Sequence, residues 1–360
     1  MPDPVALSVT RPTVRILHLY RPRLPGPRAQ AIQVVHTCHA LACAGATVTL
    51  LADRNADAPP DPARALAWYG LDPVPGLDLR VAPVAWAPGA SAWFRTSVAL
   101  WRGELVYARA KRYVSLAPRS ARVVLEAHEV DSLLAEERGH DPGPARALER
   151  AALSRAAGVT ANARGTLELL RAAHRIDVPT RVIHNATSPS RVVARAPAPT
   201  PVVGWTGSPR AYKGLATVVA SLSRWPAEAR LELVGGTIEL PAAVAGRVDA
   251  LPPVPYAALP ARLARYHALL LPLDDDLFGR HLSNPLKLWD YLATGIPIVA
   301  PELPSVREVA GDTPHYYRPG DPEALAAAVG RALAAGSAPR RVRTWADRAR
   351  EILEFCEGLA

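Results

Sequence analysis

"TSPSRVVARAPAPTP", residues 187–201, has neither a helical nor a strand period and carries four prolines. Such a stretch reads as a linker. What lies on either side of it decides the fold. Before it, strands are predicted at 13–20, 47–52, 79–85, 105–109, 122–128, 158–163 and 180–186, with helices at 29–45, 142–157 and 165–174. After it the alternation restarts. Strands fall at 202–207, 230–236, 248–254, 268–273 and 297–301, with helices from 214 and at 257–266, 285–294, 321–336 and 343–359. Near-continuous apolar strands separated by helices mean parallel sheets covered on both faces. The predicted class is therefore α/β, with two doubly wound Rossmann-like domains facing a central cleft. The N-terminal domain covers 1–187 and the linker 188–201. The C-terminal domain covers 202–340, and a closing amphipathic helix 341–360. Ligands of such sheets bind at the carboxyl ends of the strands, so the cleft is the expected site.

Composition bounds the function. A length of 360 residues suits two domains, and 49% hydrophobic with 21% charged residues reads as a soluble globular chain. The formal charge of +9 fits an arginine-rich solvated surface or attraction to anions such as nucleotides, phospholipid head groups or nucleic acid. There is no basic run of five or six residues and no zinc-finger or RNA-binding motif, so nucleic acid is not expected. Cys38, Cys43 and Cys356 form no CxxC and read as reduced thiols. No basic-then-apolar leader and no run of about 18 apolar residues is spelled. The expectation is a cytoplasmic protein, with peripheral contact at the inner membrane face left open.

Lysine is nearly absent. Only Lys111, Lys213 and Lys287 occur, against 39 arginines. Two of the three fall at strand-to-helix openings in the C-terminal half. In "VVGWTGSPRAYKG" (202–214) a strand runs into Gly207 and Ser208, and Lys213-Gly214 opens a helix. That is the logic of a phosphate-cradling loop, though GxxxxGK[ST] is not spelled. In "SNPLKLWDYLATGIP" (283–297), Asn284 is a suitable N-cap and Pro285 fits the first helical position. Leu286 and Lys287 then hold amides without intrahelical partners, an anion site reinforced by the Lys287 charge. Asp290 follows three residues later, placed for a ribose diol if the anion is a nucleotide. The plain alternative is a capped helix with a surface Lys–Asp pair. In "VVLEAHEVDS" (123–132), Glu126 and His128 share one side of a strand end, and His128 is expected to face the cleft. The alternative is a structural histidine that Glu126 orients. Asp274 to Asp276 offer an Asp-x-Asp spacing, or a solvated loop. Trp86, Trp93, Phe94 and Trp101 mark an acceptor-facing or lipid-facing surface, or core packing.

These residues resemble a family. "VVGWTGSPRAYKGLATVVASL", "LPPVPYAALPARLARYHALLLPL", "SNPLKLWDYLATGIPIVAPELPSVREVAGD" and "TWADRAREILEF" are similar to the family 4 retaining glycosyltransferases of the GT-B architecture. "LVYARA", "VVLEAHEVDS", "VTANARGTLELL" and "VIHNA" extend the likeness through the N-terminal half. The resemblance implies a nucleotide-sugar donor, a UDP- or GDP-sugar, as co-substrate, with no metal or other cofactor. The acceptor stays open: a glycan, a lipid-linked or a small molecule. It implies that Lys213 contacts the donor diphosphate, that the Leu286 and Lys287 amides lie under the phosphates, and that Asp290 holds the ribose. The Val254 backbone would read the base, His128 would lie near the transferred sugar, and the last helix would cross back onto the N-terminal domain. Gly26 is what remains of the paired glycines usual in the first loop, with Arg23 and Arg28 nearby. The first acid of the family's Glu-x7-Glu motif falls at Leu282, and a common arginine falls at Ser208, with Arg210 as its substitute. Those departures keep two alternatives alive: a catalytically impaired nucleotide-sugar binder, and a nucleotide-sugar epimerase.

Overall fold

The computed structural model describes residues 14–55, 58–85, 87–189, 192–210, 213–338 and 342–359. The N-terminal sheet contains β1 (Arg15–Leu19), β2 (Arg23–Leu24), β3 (Thr47–Arg54), β4 (Leu77–Val81), β5 (Leu105–Ala108), β6 (Arg122–Ala127), β7 (Gly158–Ala161) and β8 (Thr180–Val182). Its order is β4-β3-β1-β5-β6-β7-β8, with the short β2 also on β3. The C-terminal sheet contains β9 (Val202–Thr206), β10 (Arg230–Val234), β11 (Val248–Leu251), β12 (Ala268–Leu270), β13 (Ile298–Pro301) and β14 (His315–Tyr317), in the order β11-β10-β9-β12-β13-β14. All pairings are parallel. In both sheets the first strand is central and the order reverses beside it. The switch points, β1/β5 and β9/β12, are where an open α/β sheet leaves a crevice.

The strands form because they are apolar on both faces. β5 and β7 are buried at every position, as are β12 and β13. Helices on both sides supply the cover. The predicted strands are all present, most of them shortened at the carboxyl end. The strand predicted at 79–85 also starts earlier, at Leu77, and ends at Val81, while the one predicted at 47–52 runs on to Arg54. Elements that sequence periodicity does not reveal are short or interrupted. They include the helices Pro62–Trp68, Asp131–Glu137 and Pro304–Ala310, and the strand β14. The aromatic segment is a helix, Ala87–Leu100, that drives Phe94 and Val98 into the core while Leu100 stays exposed. Trp93 and Trp101 pack partly buried against that core, and Trp86 lies outside the described residues.

The two domains share a floor. The helix Trp345–Glu357 runs along the helix Ala29–Cys43 of the N-terminal domain, where Trp345 stacks on His36 at 5.2 Å. Tyr256 of the C-terminal domain meets the same imidazole edge-on at 5.3 Å. A capping box at Thr344 and Asp347 starts this helix, and Thr344 bridges to Thr187 at the end of the N-terminal domain. Leu282, from the loop after β12, is buried among N-terminal core residues.

Candidate functional site

The carboxyl end of β9 turns sharply at Gly207, whose φ of 109° is open to glycine and strained for other residues. A Cβ there would stand 3.1 Å from the Lys287 Nζ. Lys213 reaches the same turn, donating to the Ser208 carbonyl at 3.0 Å and the Ser208 hydroxyl at 3.1 Å. Gly214, after it, adopts the left-handed conformation (φ 65°), and its Cα backs onto Leu273 at the end of β12. A Cβ at 214 would lie 3.2 Å from the Leu273 nitrogen. Lys213-Gly214 is thus set at the β9/β12 switch point by backbone geometry that only glycine fits well.

Both ammonium groups are perturbed in the same sense. Burial, then the Lys213 charge, holds Lys287 well below its ordinary value. Burial, then Arg210, lowers Lys213. The Lys287 ammonium lies 5.8 Å from the centroid of the Trp205 ring, and among the described residues it has no ion-pair partner. Like charges gathered in a crevice disfavour their own charged forms and favour a bound anion. Arg210 is exposed on the loop and adds a third positive charge.

The second motif is rearranged. The helix Leu286–Thr294 starts with Pro285 at the capping position, and no side chain caps it. Asn284, read as the cap, is buried and turned away. Its amide donates to the Asn162 carbonyl and contacts His184 Nδ1 at 2.9 Å, and its Oδ1 accepts from Trp289 Nε1 at 2.7 Å. The reason is competition: Asn162 and His184 of the N-terminal domain take the amide nitrogen, and Trp289 of the same helix takes the oxygen that a cap would need. Leu286 is buried in the first turn. Tyr291, one turn on, donates to or accepts from Thr206 at 3.0 Å and so ties this helix to β9. Asp290 does not pair with Lys287. Its carboxylate accepts from the Thr187 hydroxyl at 2.6 Å and from the Tyr256 hydroxyl at 2.8 and 3.0 Å. Val254 lies partly buried in the loop after β11. Asp275 and Asp276 serve their own loop, Asp275 pairing with Arg280 and Asp276 accepting from the Gly279 amide at 2.6 Å, whereas the Asp274 carboxylate accepts from the Gly214 amide.

On the N-terminal side, His128 follows β6 and its Nε2 lies 3.3 Å from Glu126 Oε1, an ion-pair distance without good hydrogen-bond alignment. Burial, then Arg109, lowers His128 to about 4, against the opposing pull of Glu126. Arg109 ends β5 with its guanidinium 5.0 Å from the Tyr20 ring centroid and its Nε buried without an acceptor. The first loop is tied down: the Gly26 amide donates to the Tyr69 hydroxyl, and that hydroxyl donates to the Gly26 carbonyl, both at 3.1 Å. Arg348 is the residue that sequence reading missed. It is fully buried and pairs with Glu126. The available signal was an arginine within the apolar stripe Trp345, Ala349, Ile352, Phe355 of the last helix.

Two facing sheets of this order, with the charged crevice between them, make the fold GT-B, that of a large class of glycosyltransferases. Residues 200–335 match the family model described as "Glycosyl transferases group 1". No curated protein sequence matches the chain. Among solved structures, sucrose-phosphate synthase from Thermosynechococcus elongatus is similar at 19% identity and a TM-score of 0.68, over 97% of this chain and 96% of that one. HepE from Anabaena, in complex with UDP and glucose, is similar at 17% identity and 0.64, over 96% and 99%. WaaG, a glycosyltransferase of lipopolysaccharide biosynthesis, is similar at 14% and 0.62, over 95% of each chain.

Proposed function

We propose that the protein is a retaining, metal-independent glycosyltransferase that moves a sugar from a UDP- or GDP-sugar to an acceptor hydroxyl. The observation that carries this is the convergence of Lys213 and Lys287 on the Gly207–Ser208 turn, at the β9/β12 switch point of a group 1 domain. A similar fold binding UDP and glucose supports the donor class.

The diphosphate lies between the two ammonium groups, against the start of the helix at Leu286. As the bond from the anomeric carbon to phosphate breaks, negative charge grows on the leaving diphosphate. The lysines, with Arg210, stabilise that charge in place of a metal. The acceptor oxygen bonds to the anomeric carbon on the same face, and its proton passes to the departing phosphate oxygen. A charge-assisted hydrogen bond contributes about 1.5–3 kcal/mol net, so two that strengthen in the transition state supply a sizeable share of the acceleration. Asp290 holds the ribose from its seat on Thr187 and Tyr256, and Val254 reads the base with its backbone. His128 orients the transferred sugar.

The test is nucleotide release from a panel of UDP- and GDP-sugars in EDTA, with the product anomer read by NMR. An inverted product, or full turnover and donor affinity in Lys213→Ala, overturns the reading. One observation favours a second reading, a nucleotide-sugar binder without turnover: Leu282 puts a buried methyl-bearing side chain where the family has a carboxylate. In that case the panel gives thermal shifts and no nucleotide release. The epimerase alternative is not retained, because Glu126, its only candidate base, is buried against Arg348.

A further inference from the structure

Arg348 sits in the helix Trp345–Glu357 yet belongs to the N-terminal core. Its guanidinium is fully buried. It donates to the Ile183 carbonyl at 2.8 Å, the His184 carbonyl at 2.7 Å and the Thr37 hydroxyl at 3.2 Å, and it pairs with Glu126. Glu126 is equally buried and accepts a further bond from Gln33 Nε2 at 3.2 Å. The same Oε1 faces His128. A buried ion pair is a poor way to gain stability, since apolar residues of like volume do as well. Its presence two residues from the cleft histidine calls for another reason.

We propose that Arg348 is a positioning residue for His128: by neutralising and fixing the Glu126 carboxylate, it keeps the His128 ring neutral and held in one orientation. The last helix thereby becomes part of the site without touching substrate. A lone buried carboxylate takes its counter-charge from the nearest base. Here that base is His128 or His18. Arg348 supplies the charge instead, and a second positive charge beside it is unfavourable. The remaining groups around the carboxylate agree. Burial and then Arg109, just after β5, oppose a charge on His128 more strongly than the direct repulsion of Arg348 does, so Arg348 acts mainly through Glu126. His18, from β1, is buried with neither ring nitrogen bonded, and burial lowers it to about 4. Cys38 and Tyr107 are pushed up by burial and by Glu126, so they stay neutral. Glu126 itself is raised by burial, but Arg348 and then His128 outweigh that and hold it well below the carboxylate range.

The experiment follows the His128 Cε1–Hε1 NMR signal of the full chain against pH, with kcat and donor KM for nucleotide release measured in parallel. Expected is a His128 midpoint that rises by at least one pH unit in Arg348→Met and much less in Arg348→Lys. Glu126→Gln/Arg348→Met removes both charges together and keeps the test open if the single variant fails to fold. It should leave His128 neutral but unfixed, with kcat at least tenfold lower and donor KM within twofold. A merely structural arginine lowers the melting temperature and leaves the His128 midpoint and kcat of folded variants unchanged, which overturns the proposal. The kcat arm rests on the transferase reading. The NMR arm does not, so loss of one reading is distinguishable from loss of the other.

Discussion

The two switch points of this molecule have the same strand order and opposite electrostatics. At β9/β12, Lys213 and Lys287 lie beside a glycine turn; burial lowers both, with Arg210 adding to it at Lys213 and Lys213 adding to it at Lys287. At the end of β6, beside β1/β5, the buried Glu126 is matched by Arg348 and bordered by two histidines lowered to about 4. One crevice gathers like charges, a setting that favours a bound anion. The other matches a buried anion with a buried cation of the chain itself. The third lysine makes the same point. Lys111 is buried in the N-terminal domain, where it pairs with Asp131 and Glu149 and donates to the Glu129 carbonyl at 2.7 Å, bracing the loop that carries His128.

The contrast breaks most readily at its charges. Arg348→Met leaves Glu126 as an uncompensated buried anion and should lower unfolding free energy by about 3–5 kcal/mol in urea titrations. Lys287→Met, by the same measurement, should be neutral or stabilising, because it relieves a desolvated ammonium beside another. Equal losses in the two variants would erase the distinction drawn here. Activity should answer in the reverse sense at the other crevice. Lys213→Ala and Lys287→Ala are each expected to reduce kcat/KM for the nucleotide sugar by about 100-fold or more, the scale of losing one transition-state donor.

Acid sharpens the comparison further. His18 and His128 have folded values of about 4, below the ordinary value near 6.5. The unfolded chain therefore binds more protons between those limits, and stability falls as pH drops from 6.5 towards 4. Each histidine contributes up to about 1.4 kcal/mol per pH unit in that window. His18→Gln should reduce the slope of urea midpoint against pH by less than half, because His184, His267 and His315 are also lowered by burial. Glu126 acts lower: its depressed carboxyl contributes stability above the ordinary carboxylate value that is lost as pH falls through its own. The smallest expected effect is backbone strain. Gly214→Ala forces a left-handed alanine against Leu273 and should cost about 1–2 kcal/mol, with a loss of donor affinity as Lys213 shifts.

Much of the architecture was legible because periodicity is local. The alternation of apolar strands and helices on both sides of 187–201 gave two parallel sheets, and the helix predicted from 321 starts there, with Asp321 accepting from the Glu323 and Ala324 amides. The Lys213-Gly214 opening was legible for the same reason, since a strand, a turn and a helix start are neighbours in sequence. Asn284 departs from the cap reading because its nitrogen is drawn to Asn162, 122 residues away, which turns its oxygen to Trp289 of the same helix. A local rule for caps cannot weigh a buried amide's partners from another domain.

By itself, then, the sequence determined two doubly wound domains, a linker, and a lysine-marked opening at the carboxyl end of β9. Only the tertiary structure decided that Lys287 and Lys213 both approach the Gly207–Ser208 turn, that Asp290 rests on Thr187 and Tyr256, and that Arg348 meets Glu126 across 222 residues of chain. The physical reason is range. Helix and strand periods are set within a few residues, whereas the charge state of a buried group is set by whichever groups folding brings within a few ångströms of it.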